Sequence, residues 1–150
     1  MKKAICLIAG FLILLLIGGC NPKEDTHPMD INTNTSTATV TVTSGVTDAD
    51  VWILPDTEAN RKTTVWGMAT LSKLAKGDSR QAPLCEPGDD GRYLLRLIDT
   101  DGFYYSASGV LLKADWTLQI SGSGLDDIAA EVLDESGTSQ ATYAMFAAKL

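Results

Sequence analysis

The sequence predicts a mainly β fold, a small antiparallel sandwich or barrel-like domain with a minor helical element near its C-terminus. Three observations predict it. Stretches that alternate with a period of two, rich in Val, Thr, Tyr and Trp, recur from Thr37 to Ser121. Turn residues separate them at short spacing, as at Ser44-Gly45, Pro55-Asp56 and Gly88-Asp89. One segment, Arg92 to Ala107, carries the pattern of a hairpin whose side chains select its register.

The elements follow in order. Thr37, Thr39, Thr41 and Thr43 alternate with Ala38, Val40 and Val42, which marks a half-buried strand ended by Ser44-Gly45. Asp50 to Leu54 is a second strand, closed by Pro55-Asp56; both its faces are apolar, so it is expected inside a sheet. From Asn60 to Lys76, Val65, Met68, Leu71 and Ala75 give a partial helical stripe. Gly67 and the Thr63-Thr64 pair weaken it, so a loop with at most a short helix is expected. Lys76-Gly77-Asp78 makes a turn, Ser79 to Leu84 reads as an irregular strand, and Pro87 to Gly91 is a loop.

Arg92 to Ile98 places Tyr93, Leu95 and Leu97 on one face. Phe103 to Ala107 places Phe103, Tyr105 and Ala107 on one face. A two-residue Asp-Gly loop would set the leucines against Ser106 and Ser108. A three-residue loop pairs Leu97 with Tyr105 and Leu95 with Ala107, apolar to apolar. That loop is a type I turn followed by a left-handed residue, with Asp99 opening it and Gly102 forming a G1 bulge.

Trp116, Leu118 and Ile120 alternate with Thr117, Gln119 and Ser121 as another strand. Leu125, Ile128, Ala129, Val132 and Leu133 then fall at helical spacing, with Ser123 and Asp126 resembling a capping box. A helix from about Gly124 to Glu135 is expected, with a hairpin turning at Asp134–Gly137 as its competitor. Thr142 to Leu150 suits either a helix or an edge strand. The sum is five or six strands plus that helical element.

The stretch Trp52–Leu112 is similar to a loosely defined group of small exported bacterial β-domains. The likeness rests on an early aromatic strand, Leu74-Ala75-Lys76-Gly77-Asp78-Ser79, and Arg96-Leu97-Ile98-Asp99-Thr100-Asp101-Gly102 running into aromatics. It implies a β-rich fold and no activity.

A length of 150 residues fits one domain. With 45% apolar and 21% charged residues the composition is that of a globular protein. A net charge of −7 argues against nucleic acid, which calls for clustered Lys and Arg. The N-terminus is unlike the rest. Lys2 and Lys3 precede a charge-free apolar run of 14 residues, Ala4 to Ile17. That length fits an export signal and is short for a membrane span.

Ile17-Gly18-Gly19-Cys20 resembles a lipobox, the processing signal of bacterial lipoproteins. The resemblance covers residues 1–20. It implies a diacylglyceryl thioether on Cys20, cleavage between Gly19 and Cys20, and acylation of the new amine with chains of the palmitate kind. Several chains hold a protein durably at a bilayer. The Asp that resembles an inner-membrane retention signal is absent after Cys20; Asn21 stands there, which leans toward the outer membrane if the source has one.

The expected organisation is a signal peptide at 1–19, a lipidated Cys and flexible tether at 20–36, and one β-rich domain at 37–150. Removing Lys2 and Lys3 takes the net charge from −7 to −9. Of the three cysteines, Cys6 leaves with the signal, Cys20 carries lipid and Cys85 stays alone. The single His, His27, sits in the tether, so Cys85 is expected to be structural or incidental rather than a nucleophile.

Asp99-x-Asp101-Gly102 could begin a calcium loop, but the twelfth position, Val110, lacks the closing Glu, and the turn explains both Asp99 and Asp101. Glu86, Asp89 and Asp90 form a second acidic loop. Trp66 and Tyr104 stand apart from the other aromatics. One lies in a loop and one points outward, so both are candidates for contact with a glycan.

No catalytic residue, metal site or cofactor is expected: a nucleophile elbow and a phosphate-binding loop are both missing from the sequence. The expected function is a lipid-anchored, extracytoplasmic envelope protein with a non-enzymatic binding or structural role. Its partners would be membrane lipid through acylated Cys20 and an envelope protein or polysaccharide. A carbohydrate-binding module at the cell surface is the alternative. A hydrolase using gathered carboxylates is a third.

Overall fold

The computed structural model describes residues 36–149. The signal segment, Gly19, Cys20 and most of the tether lie outside the described residues. Ten strands form two five-stranded sheets. The strands are β1 (Thr37–Val42), β2 (Ala49–Pro55), β3 (Leu71–Leu74), β4 (Ser79–Pro83), β5 (Tyr93–Ile98), β6 (Phe103–Val110), β7 (Thr117–Ser121), β8 (Ala129–Leu133), β9 (Ser139–Ala144) and β10 (Phe146–Lys149). A short helix, α1 (Glu58–Lys62), follows β2.

The first sheet has the order β4-β1-β7-β8-β9 and the second β10-β6-β5-β2-β3. Neighbours are antiparallel except β1 and β7, which run parallel. The fold is therefore mainly β, a sandwich of two separate sheets rather than one closed barrel. The alternation explains the core. Val40 and Val42 of β1, Leu118 and Ile120 of β7, and Val132 of β8 join Val51 and Ile53 of β2, Leu95 and Leu97 of β5, and Tyr105 of β6 in one buried cluster.

The β5–β6 hairpin has the expected register, with Leu97 opposite Tyr105 and Leu95 opposite Ala107. Gly102 sits at φ +79°. Its N–H donates to the Asp99 carbonyl at 3.1 Å, and the Asp99 N–H donates to the Phe103 carbonyl at 3.1 Å. The left-handed bulge that Gly permits thus sets which side chains meet the core.

Two expectations need correction. The helix over Gly124–Glu135 is replaced by strand β8, and the competing turn at Asp134–Gly137 is the one that forms. Ile128 and Val132 lie four apart, a spacing that fits a helical stripe and a strand face equally. Pairing decides: Val132 lies opposite Leu118 and Ala130 opposite Ile120, so Ile128, Ala130 and Val132 are buried while Leu125 is 41% exposed. The Asp127 carboxylate, rather than a capping box, organises the preceding turn, accepting from the N–H groups of Ser123 and Gly124. The second correction is in the stretch after Asn60. α1 starts two residues before it, and an edge strand, β3, lies within it.

Within that C-terminal stretch, residues 142–149 take the edge-strand alternative. β9 and β10 belong to different sheets, and Met145 between them is buried as the chain crosses over, its N–H donating to the Ile128 carbonyl. More strands form than expected because β3 and β10 are only 4 residues long, too short to show alternation.

The loop before β5 is packed closely against β2. The N–H groups of Gly88 and Asp56 both donate to the Arg92 carbonyl, at 2.9 and 3.0 Å. A Cβ on Gly88 would lie 2.5 Å from the Asp56 backbone nitrogen and oxygen. Gly88→Ala should therefore force backbone apart and cost about 1–3 kcal/mol of stability. A urea midpoint equal to wild type would refute this.

Candidate functional site

The site grows from the face of the second sheet that points away from the core. Adjacent residues of a strand point to opposite faces. Leu95 and Leu97 of β5 go inward, so Arg96 goes outward. Trp52 of β2 lies directly opposite Arg96, and Tyr104 of β6 lies opposite Ile98. This outer face is covered in part by α1 and the loop that follows it, residues 56–70.

The cover is fastened at three places. Thr57 caps α1, its hydroxyl accepting from the Asn60 N–H at 3.2 Å. The buried Asp56 carboxylate accepts from Arg61 Nε and from the Gly109 N–H, both at 2.6 Å. The Arg61 hydrogen bond is the main cause holding the Asp56 pKa below the ordinary carboxylate value, against the opposing effect of burial.

The third fastening is Arg96, only 3% exposed. Its Nη1 donates to the Thr63 carbonyl at 3.1 Å, and its Nη2 to the carbonyls of Asn60 and Arg61 at 2.9 and 3.2 Å. Its Nε is buried and has no hydrogen-bond partner among the described residues. The guanidinium carbon stands 4.5 Å from the centre of the Trp66 ring.

Trp66 is thereby held against the sheet. Its ring centre is 5.1 Å from that of Tyr104, tilted by 31°, and 5.3 Å from that of Trp52, edge to face at 74°. Both indole N–H groups find carbonyls, Trp66 Nε1 at Thr63 and Trp52 Nε1 at Gly67. The two aromatics singled out in the sequence thus come together, both half-buried.

Two clefts of about 480 Å³ each flank this cluster. One is lined by Trp52, Lys62, Thr63, Thr64, Trp66 and Ile98, the other by Leu94, Ser106, Ser108, Thr142 and Phe146; Arg61, Arg96 and Tyr104 belong to both. Val65 and Met68 on the cover loop are 80% and 95% exposed, and Phe146 beside the second cleft is 76% exposed. The exposed apolar ring of Phe146 in the lining of the second cleft marks it as a surface for contact.

The remaining sequence candidates lie elsewhere. Asp99 is buried and its carboxylate is fully engaged by its own hairpin: Oδ1 accepts from the N–H groups of Asp101 and Phe103, and Oδ2 from the Tyr105 hydroxyl. Asp101 is exposed beside it. Among the described residues no group of three or more His, Cys, Asp or Glu side chains is placed to hold a metal ion. Cys85 is exposed, and its thiol contacts the Ile53 carbonyl at 3.7 Å. Partial desolvation pushes its pKa up, with the charge of Glu86 adding to the effect, so the thiolate is disfavoured. His27 lies outside the described residues.

Sequence reading missed Arg96, the residue that organises the face. The signal was present: one Arg inside Tyr93-Leu94-Leu95-Arg96-Leu97-Ile98, a run apolar on both faces. A charge in such a run is buried and demands partners.

No family model, curated protein or solved structure matches the chain. The functional reading rests on the geometry of this face.

Proposed function

We propose that the protein is a lipid-anchored, non-enzymatic binding protein of the bacterial envelope, and that the Trp66–Tyr104 face is where it binds a carbohydrate. The observation that carries this reading is the meeting of Trp66 and Tyr104 at 5.1 Å between two clefts. Half-exposed aromatic rings in fixed positions suit the apolar faces of sugar rings, at little cost in side-chain entropy. The hydroxyl of Thr64 in one cleft, and those of Ser106 and Ser108 in the other, can meet sugar hydroxyls.

The anchor is the lipobox at Ile17–Cys20. A tether of about 16 residues spans at most roughly 55 Å when extended, which lets the domain reach away from the bilayer. An envelope protein as the ligand is the second reading, favoured by the exposure of Val65, Met68 and Phe146.

Three measurements test the proposal. Cys20→Ser should release the protein from membranes; a variant that stays bound removes the anchor. Tyr104→Ala and Trp66→Ala should each weaken retention on cell-wall polysaccharide at least about tenfold, the loss expected for one stacking partner and its ordered neighbours. Unchanged retention in both variants removes the site. Turnover of a substrate by the solubilised protein would overturn the non-enzymatic reading.

A further inference from the structure

We infer that the ligand of this face is an acidic sugar, one whose ring stacks at Trp66 and Tyr104 and whose carboxylate answers the positive charge of Arg96. This rests on the carbohydrate reading and names the class of sugar.

The face carries a positive charge that the fold does not neutralise. Three cations line the first cleft. Arg61 pairs with Asp56, and Lys62 with Glu58 at 2.5 Å. Arg96 makes no ion pair with any described carboxylate; carbonyl oxygens and the Trp66 ring surround it instead. A buried cation without a counter-ion is costly, and its unpartnered Nε adds to that cost.

The surroundings sharpen the point. The chain holds 19 Asp and Glu and carries a net charge of −7, yet neither cleft is lined by an acidic side chain. In a chain of net negative charge, a cleft lined by cations and by no acidic side chain is a place where an anion is favoured. The Lys62–Glu58 pair is solvent-exposed on both sides, so it is weak and Lys62 can turn toward a ligand. A neutral sugar would use the rings and the hydroxyls and leave this charge unanswered.

The full chain, solubilised in a non-ionic detergent, is titrated by calorimetry with trigalacturonate and with its fully methyl-esterified form. The two probes share a ring skeleton and differ in charge. Trigalacturonate should bind at least about tenfold more tightly at roughly 0.05 M salt, and the preference should shrink several-fold at roughly 0.5 M. Lys62→Gln, an exposed change that leaves the cover's fastenings intact, should reduce the preference about two- to fivefold. Equal affinity for both probes overturns the acidic assignment and leaves the carbohydrate reading standing. Binding of neither probe overturns both, as does binding of the unlipidated Cys20→Ser chain only to phosphatidylglycerol vesicles, which would make the face a lipid contact.

Discussion

Replacing Arg96 with Leu should destabilise the domain by about 2–4 kcal/mol and loosen residues 56–70 before the rest unfolds. Leu lacks the buried guanidinium that packs against the Trp66 ring, so a cavity there adds to the lost bonding. Three carbonyls, Asn60, Arg61 and Thr63, lose a charged donor. A hydrogen bond to a charged group contributes about 1.5–3 kcal/mol, but the three share one guanidinium and do not add. Relief of the buried charge and access of water to the freed carbonyls offset part of the loss. Arg96→Lys keeps the charge but not the fork, and should recover less than half. Urea unfolding gives the size of the effect, and faster trypsin cleavage at Arg61 and Lys62 locates it. A variant within about 0.5 kcal/mol of wild type would mean that Arg96 does not fasten the cover.

That residue also marks the limit of what the sequence discloses. The β5–β6 hairpin was legible because everything that decides it lies within a dozen or so residues: a turn that wants Asp99 and Gly102, and two faces that must match. β8 was misread because Ile128 and Val132 satisfy both periods and alanines favour neither burial pattern strongly. What settles it is Leu118 and Ile120, supplied by β7. The parallel pairing of β1 with β7 joins Thr39 to Thr117 across most of the domain, and nothing local encodes it.

The candidate site divides in the same way. Strand parity alone turns Tyr104 outward, and Gly67 with the Thr pair puts Trp66 in a loop. Both were therefore visible as aromatics outside the core. Their contact was not, because it depends on the cover folding back over the sheet and on Arg96 gripping three of its carbonyls. The sequence distinguishes Arg96 only as a charge in the wrong company. Its partners are 33–36 residues away and are backbone atoms, which have no side-chain signature.

Asp99→Ala should cost about 3–4 kcal/mol, and the cause lies at a hairpin rather than at a metal. The carboxylate accepts from two backbone N–H groups at 3.1 and 2.9 Å and from the Tyr105 hydroxyl at 3.1 Å. Tyr105 is fully buried, so without Asp99 its hydroxyl faces the core with no acceptor among the described residues. The buried Tyr105 phenol also makes the domain sensitive to alkali. Burial first, and then the charge and hydrogen bond of Asp99, push the Tyr105 pKa up to about 12. In the unfolded chain a tyrosine titrates near 10. Below pH 10 the phenol is protonated in both states. Between pH 10 and 12 the unfolded chain releases a proton that the folded one keeps, so rising pH favours unfolding by about 2–3 kcal/mol across the window. Tyr93, raised in the same direction by burial, adds to the slope. Tyr105→Phe should be less stable at pH 7 yet lose less between pH 10 and 12. If its alkaline slope equals that of wild type, the Tyr105 phenol is not the source of the sensitivity.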